Sequence, residues 1–227
     1  RYIEIVGEKS SESIADTLIN GIFGRVTGDA GSRFVIAIGQ AIFLVLFLIL
    51  YGDCIAARQR IGAVYFFSRI SNRKKWILKE FVWLLFYSVL YTFCFVGMHM
   101  IFSIWGSSEA NLSGTLFKVA FQIGLFLTLL LFEMAVLCNL FCAAGGSAIG
   151  ILLSMLCVIG LIMCSTAEVD GVVSEMINPM WLSADIIENG GSYIQKIIIV
   201  FLQTAICAVG TGYYLAKRDL FAREGEG

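Results

Sequence analysis

The sequence predicts an all-α integral membrane protein, folded as a polytopic helix bundle with five visible spans. Of its 227 residues, 59% are hydrophobic and only 15% are charged, whereas about one-quarter of the residues in soluble domains are charged. The apolar residues form continuous runs of about 20, the length with which an α-helix crosses about 30 Å of hydrocarbon. A β-barrel would instead show alternating segments of about 10 residues. The single proline agrees with long, uninterrupted helices.

Each apolar run is bounded by polar or glycine-containing segments, and these set the predicted spans. The spans cover residues 34–51, 81–105, 116–138, 147–165 and 194–215. With their connections they form a predicted transmembrane domain, residues 33–217, which is followed by a tail, residues 218–227. At the start of the fourth span, Gly146, Gly150 and Ser154 recur every four residues. Such a stripe of small residues permits close helix approach, either within the bundle or between two copies.

Basic residues are concentrated in the connection between the first two spans, residues 54–79. Seven of the sixteen Lys and Arg residues lie there, and loops rich in these residues stay on the cytoplasmic side. The tail, with Arg218 and Arg223, is placed on the same side. The connection 166–192 holds five acidic residues and no basic one, so it is predicted to lie outside. We therefore expect a multi-pass protein of a cytoplasmic (inner) membrane with a cytoplasmic C terminus.

This orientation places the N-terminal segment, residues 1–32, outside the membrane. No apolar run precedes the segment, and the chain begins with Arg1 rather than methionine. A preceding span that is missing from this sequence would explain both facts and give six spans; a cleaved signal peptide would also place the segment outside. Leu18 and Ile22 belong to the apolar face of a predicted short amphipathic helix, which lies on the outer interface or packs on the end of the bundle.

Several classes of function are disfavoured by the composition. The net charge of −1 gives no reason to expect nucleic acid binding. The seven cysteines include no CxxC pair, so we interpret them as packing residues rather than as disulfides or a zinc site. No Gly-Lys dipeptide occurs, which excludes a Walker A loop. An embedded enzyme would need clustered His, Glu or Asp at membrane depth. We expect no enzymatic activity and no cofactor or metal site in this chain.

The connection 54–79 has an order that a simple run of basic residues would not require. Its features follow one another in a fixed order. Charged residues at Arg58 to Arg60 precede a Gly-Ala step at Gly62 and a stretch with an aromatic pair from Val64 to Ser68; a basic turn from Arg69 to Arg73 and Lys79 at the opening of the next span come after them. This arrangement resembles the transmembrane subunits of ABC-2 type exporters, in which a short coupling helix follows the second span. The acidic residue that often precedes that family's Gly-Thr step is replaced here by Gln59 and Arg60.

Two further segments carry the same resemblance. The sequence Asn178-Pro179-Met180-Trp181 is similar to the family's Pro-aromatic segment before the last span. Lys217-Arg218-Asp219-Leu220 is similar to its basic ending. The outer-loop candidates that follow from the resemblance are Asn178, Pro179 and Trp181.

The resemblance implies the permease subunit of an ATP-driven exporter, of the kind that exports antimicrobial peptides or confers immunity to them. It implies a separate cytoplasmic ABC ATPase subunit, which would hold ATP and Mg²⁺, and a second permease, identical or related. The residues that it assigns to the ATPase contact are Arg58, Arg60, Gly62, Val64, Tyr65, Phe66, Phe67, Arg69, Arg73 and Lys74. The apolar bundle, surrounded by membrane lipid, suits an amphipathic or lipid-like cargo. The alternative is a non-transporting membrane sensor or immunity protein, whose acidic connection would attract a cationic peptide at the outer face.

Polar residues inside the spans form a second set of candidates. A charged group at membrane depth is costly and is by default a functional hypothesis. Glu133 lies within the third span, where it would line a translocation path or make a structural pair with a basic group. His99, Gln122 and Gln203 would share such a path or hydrogen-bond neighbouring helices.

Overall fold

The computed structural model describes residues 18, 22, 30–62, 73–106, 114–166, 187 and 190–217. The helices in these ranges are α1 (Ala30–Tyr51), α2 (Cys54–Gly62), α3 (Arg73–Gly106), α4 (Gly114–Gly145), α5 (Ser147–Thr166) and α6 (Gly190–Lys217). The elements of the described ranges are all helices, which confirms the all-α prediction.

Four helical segments are long and apolar enough to cross a membrane. They are Ala41–Arg60, Arg73–Trp105, Leu116–Gly145 and Gly190–Lys217. Ser147–Ile162 is also apolar but shorter. All five predicted spans therefore coincide with helices, and four of these reach spanning length. The sixth span concerns residues outside this sequence and stays a prediction; of the predicted amphipathic helix, Leu18 and Ile22 are described, and both are helical and buried.

Two helices are longer than the apolar runs that predicted them. α3 begins at Arg73 rather than near residue 81, and α4 continues to Gly145 rather than ending near residue 138. Hydropathy marks only the part of a helix that suits hydrocarbon, whereas backbone hydrogen bonds also continue through polar residues that lack the helix-weakening effect of proline or glycine. The segment from Arg73 to Glu80 contains neither residue. The connection predicted at 54–79 is therefore helical at both of its described ends.

The aromatic contacts between α1 and α3 show that these helices are antiparallel. The ring of Phe43 lies 5.2 Å from that of Tyr91 and 4.1 Å from that of Phe95. Further along α1, Tyr51 stacks on Tyr87 at 4.9 Å. Because residue numbers rise along α1 as they fall along α3, the end of α1 lies beside the beginning of α3.

Helices α4 and α6 run in the same direction, in contrast to α1 and α3. The hydroxyl of Tyr193 donates a hydrogen bond to the carbonyl of Gln122 at 2.8 Å, and Thr204 contacts Glu133. The two contacts lie eleven residues apart on α4 and eleven residues apart on α6, so the helices are parallel and keep a constant register. We call the end of the bundle where α1, α4 and α6 end and α3 and α5 begin the basic end.

Helix α4 forms the centre of the bundle and contacts α1, α2, α3, α5 and α6. The seven residues from Leu130 to Val136 are all buried, as expected for a helix that is hydrophobic on every side. The other helices expose large apolar side chains, such as Phe93 and Ile206. Apolar surface of this extent is typical of a lipid-facing boundary.

The small-residue stripe at the start of α5 lies against α4. Gly146 joins the two helices with φ of 95°, a left-handed conformation that glycine adopts without strain. A Cβ atom at Gly150 would lie 2.3 Å from the backbone nitrogen of Cys142. At Gly150, therefore, the stripe serves close packing within the bundle.

Candidate functional site: the α2 junction and the α4–α6 seam

Helix α2 begins at the basic end with a cap that another helix supplies. Asp53 occupies the N-cap position, since its carbonyl accepts the first helical hydrogen bond from Ala57 at 2.7 Å. An N-cap side chain normally accepts from the second or third amide of the helix. Here Asn139 of α4 does so instead, because its Oδ1 atom accepts from the amides of Ile55 at 2.9 Å and Ala56 at 3.2 Å.

The capping side chain is itself held in place. Asn139 is fully buried, and its Nδ2 atom donates to the carbonyl of Ala135 at 2.8 Å. The turn that precedes α2 is pressed against the same helix, since a Cβ atom at Gly52 would lie 2.7 Å from the Sγ atom of Cys138. The start of α2 is therefore fixed to α4 by a hydrogen-bonded cap and by close packing.

Because Asn139 caps the helix, the side chain of Asp53 is available for another contact, and it connects α2 to α5. The hydroxyl of Ser147, the first residue of α5, donates to Asp53 Oδ2 at 2.9 Å. The guanidinium of Arg60 donates to the same hydroxyl oxygen. Residues from both ends of α2 thus meet at the first turn of α5.

An ion pair connects α2 to α3. The guanidinium of Arg58 contacts the carboxylate of Glu80, whose side chain is only 8% exposed, whereas that of Arg58 is 49% exposed. A carboxylate so buried requires a charged or hydrogen-bonding partner. We call these six contacting residues the α2 junction: Asp53, Arg58, Arg60, Glu80, Asn139 and Ser147.

Two of the residues predicted to contact an ATPase, Arg58 and Arg60, belong to this junction. Arg58 and Arg60 have partners within the chain, Gly62 is the last residue of α2, and Arg73 and Lys74 open α3. The remaining predicted residues lie outside the described ranges: Val64, Tyr65, Phe66, Phe67 and Arg69. Asn178, Pro179 and Trp181 of the outer-loop prediction also lie outside them.

The second candidate site is the interface between α4 and α6, which we call the α4–α6 seam. Glu133 is 5% exposed. Its Oε2 atom lies 3.3 Å from the hydroxyl oxygen of Thr204, and its Oε1 atom lies 3.9 Å from the Sγ atom of Cys207. The hydroxyl of Thr204 has a single proton, which it donates to the carbonyl of Val200 at 2.8 Å, a bond that Thr commonly makes within helices. A carboxyl group is thus enclosed between two helices with two weak partners.

The seam continues away from the basic end with further polar groups. Gln122 is buried beside Tyr193, and Lys196, one turn further along α6, is 1% exposed. Eight residues separate Lys196 from Thr204, or about 12 Å along the helix, so this buried basic side chain lies at a different depth from the Glu133 carboxyl group beside Thr204.

The four polar residues predicted to share a path do not all meet. Glu133 and Gln122 lie on α4 in the seam, and Gln203 is half-buried on α6 beside Thr204. His99 is on α3, where its ring lies 4.6 Å from that of Phe95, on the side that packs against α1. Among the described residues, no group of three or more His, Cys, Asp and Glu side chains is placed to hold a metal ion.

Sequence reasoning missed Asn139, Glu80 and Lys196. Asn139 interrupts an apolar run six residues after Glu133, and an isolated amide at such a position could have been recognised as a helix-to-helix contact. Glu80 and Lys196 lie close to span ends, where charged side chains are ordinary. Nothing in the sequence distinguishes these two buried charged residues from exposed ones near the ends of spans.

The fold defines a polytopic α-helical membrane protein. No protein-family model, no curated protein and no solved structure matches the chain. The resemblance to ABC-2 type exporters therefore stays a prediction from the residues quoted above.

Proposed function

We propose that this chain is the membrane-spanning subunit of an ATP-driven ABC-2 type exporter whose ATP is hydrolysed by a separate subunit. The observation that best supports this is the α2 junction. The short helix α2, joined to α1 by a two-residue turn, is bonded to α3 by Arg58, to α4 by Asn139 and to α5 by Arg60. A helix with these contacts is suited to transmit a displacement, caused by a cytoplasmic partner, to α3, α4 and α5 together.

The junction is connected to the seam through α4. Asn139 and Glu133 are six residues apart on this helix, or about 9 Å along its axis. A rigid displacement of α2 would move α4 through the Asn139 cap, and α4 would then move against α6 where Glu133 meets Thr204. Rigid-body motions of this type interconvert the states of many transporters.

The chemistry of the seam favours an amphipathic cargo. Its polar groups are few and are surrounded by apolar packing, as around Glu133. A small hydrated ion would need a more continuous set of ligands, whereas a peptide or lipid-like molecule carries both apolar and polar surface. We therefore propose export of an antimicrobial peptide or a lipid-like compound.

The first test is purification of the tagged full-length protein in mild detergent, with identification of its partners and measurement of ATP hydrolysis. We expect an ABC ATPase, recognisable by its own Walker A and Walker B sequences, to co-purify. The double substitution Arg69→Glu and Arg73→Glu should release it. The control is Lys118→Glu, which reverses one charge, as Arg73→Glu alone does, on an exposed residue at the far end of α4 and should leave the complex intact.

A monodisperse protein that retains no ATPase in its native membrane extract would overturn the exporter proposal. If that protein instead bound a cationic peptide at the outer face, with affinity that falls as salt rises, the sensor or immunity alternative would replace it. Equal loss of the ATPase in the Lys118→Glu control would show that the charge reversal acts through folding rather than through a contact.

A further inference from the structure

The lysines near the start of α3 lie on a face that continues into exposed apolar surface. Lys75 and Lys79 are exposed and four residues apart, so they share one side of the helix. The same side continues with Val82, Trp83 and Phe86, which are all exposed. Because this apolar surface is suited to hydrocarbon, the two lysines above it lie at the depth of lipid headgroups.

Helix α6 has a matching arrangement at its end. Ile206, Val209 and Tyr213 are exposed along one side, and Lys217 follows Tyr213 by one turn. The Nζ atom of Lys217 lies 4.5 Å from the centre of the Tyr213 ring, a distance at which a cation and an aromatic face attract. Tyrosine and lysine are both typical of the boundary between hydrocarbon and headgroups.

These two lysine-bearing surfaces are neighbours at similar depth. A Cβ atom at Gly212 of α6 would lie 3.3 Å from the ring of Phe81 of α3, so the helices touch there, and they run in opposite directions. At about 1.5 Å per residue, Lys217 lies about 7.5 Å beyond Gly212 and Lys75 lies about 9 Å beyond Phe81. Both therefore end at nearly the same level at the basic end.

We propose that Lys75, Lys79 and Lys217 bind the phosphodiester headgroups of anionic phospholipids in the leaflet at the basic end of the bundle. An ammonium group on a flexible stem suits a phosphate in a mobile lipid, since it needs no fixed fork geometry. Basic residues at the ends of spans attract anionic lipid in this way. This proposal is independent of the exporter function.

The contrast with the arginines of α2 favours lipid over a protein partner for these three lysines. Arg58 and Arg60 are exposed but bond to Glu80 and Ser147 of neighbouring helices, whereas Lys79 and Lys217 lie above exposed apolar side chains of α3 and α6. A cytoplasmic protein that covered Lys79 would have to extend toward Val82 and Trp83, which are suited to hydrocarbon. A lipid headgroup meets the same surface with its acyl chains beside those residues.

The test is native mass spectrometry of the full-length protein in detergent, titrated with phosphatidylglycerol or with phosphatidylcholine. The protein should retain phosphatidylglycerol preferentially. Each lysine replaced by glutamine should weaken this binding about fivefold, and the triple variant Lys75→Gln, Lys79→Gln, Lys217→Gln on the order of 100-fold. Lys118→Gln, an exposed lysine at the other end of the bundle, should cause less than a twofold change.

Four results would overturn the proposal. Equal retention of the two lipids would show that binding does not depend on the headgroup charge. A loss of phosphatidylglycerol binding in Lys118→Gln as large as in the single variants would show that the binding is not specific to these three lysines. Displacement of the lipid by millimolar inorganic phosphate would assign a site for free phosphate instead. Should the triple variant fail to fold, the single variants Lys79→Gln and Lys217→Gln carry the same comparison. Release of a co-purified ATPase without any change in lipid retention would assign the lysines to a protein contact, again contrary to the proposal.

Discussion

The side-chain oxygen of Asn139 lies 2.9 Å from the backbone nitrogen of Ile55, 84 residues earlier in the chain. This bond fixes the N terminus of α2 to α4, because a backbone amide that has no acceptor within its own helix donates to a side chain of another helix. The consequence is that α2 is not a free surface helix. Its position depends on the central helix of the bundle.

Replacement of Asn139 by alanine tests this dependence. We expect the variant to lose about 0.5–2 kcal/mol of stability, as for other lost N-caps, since the amides of Ile55 and Ala56 would remain without their acceptor. Hydrogen–deuterium exchange of the segment Cys54–Gly62 should rise more than exchange elsewhere. Asn139→Asp keeps an acceptor oxygen and should retain more of the protection than Asn139→Ala. Unchanged exchange in the alanine variant would contradict the role given to this cap.

The close approach of α5 to α4 gives a second prediction, with a control in the same helix. Gly150→Ala would place a methyl group within 2.4 Å of the Cys142 backbone, so the helices must separate, at a cost of about 1–3 kcal/mol. Gly160→Ala meets no atom within 4 Å and should stabilise the helix by up to about 1 kcal/mol. Thermal unfolding in detergent measures both. Stabilisation by both substitutions would show that α5 packs elsewhere.

The sequence was sufficient to predict the fold class, because about 30 Å of hydrocarbon demands long apolar helices whatever their tertiary contacts. It was also sufficient to place the five helices to within a few residues in their apolar parts. It did not reveal that the connection 54–79 is helical at its described ends, from Cys54 and from Arg73, since hydropathy carries no information about helix outside the hydrocarbon.

The candidate sites were less accessible from sequence, for a physical reason. Glu133 was noticed because an acid in an apolar run is costly. Its partners Thr204 and Cys207 lie more than 70 residues away, and only the packing of α6 on α4 brings them together. Asn139 and Glu80 were missed for the same reason, because their importance depends on which backbone or charge lies opposite.

The ion pair between Arg58 and Glu80 is expected to show measurable coupling. Removal of Arg58 leaves the nearly buried Glu80 carboxylate without its cation, but half of the arginine side chain is in contact with solvent, which screens the pair. We expect Arg58→Gln to cost about 1 kcal/mol. Glu80→Gln combined with Arg58→Gln should cost less than the sum of the two single changes, which a double-mutant cycle reveals. Strict additivity would mean that the contact contributes nothing.

Two substitutions of Glu133 distinguish what its side-chain volume contributes to stability from what its ionisable carboxyl group contributes. Glu133→Ala removes the side chain between α4 and α6 and leaves a void beside Thr204 and Cys207, so we expect a loss on the order of 2 kcal/mol from the cavity. Thr204 keeps its hydrogen bond to the Val200 carbonyl. Glu133→Gln keeps the volume and the hydrogen-bonding oxygen, and it should cost less than about 1 kcal/mol. Thermal unfolding of the detergent-solubilised protein compares them, with Lys118→Ala as an exposed control. If Glu133→Gln were as destabilising as Glu133→Ala, the carboxyl group itself, and not only the side-chain volume, would be required for the stability of the α4–α6 seam. If it is tolerated, the carboxyl group is dispensable for stability, and a defect of Glu133→Gln in transport or partner binding would then report on function rather than on folding.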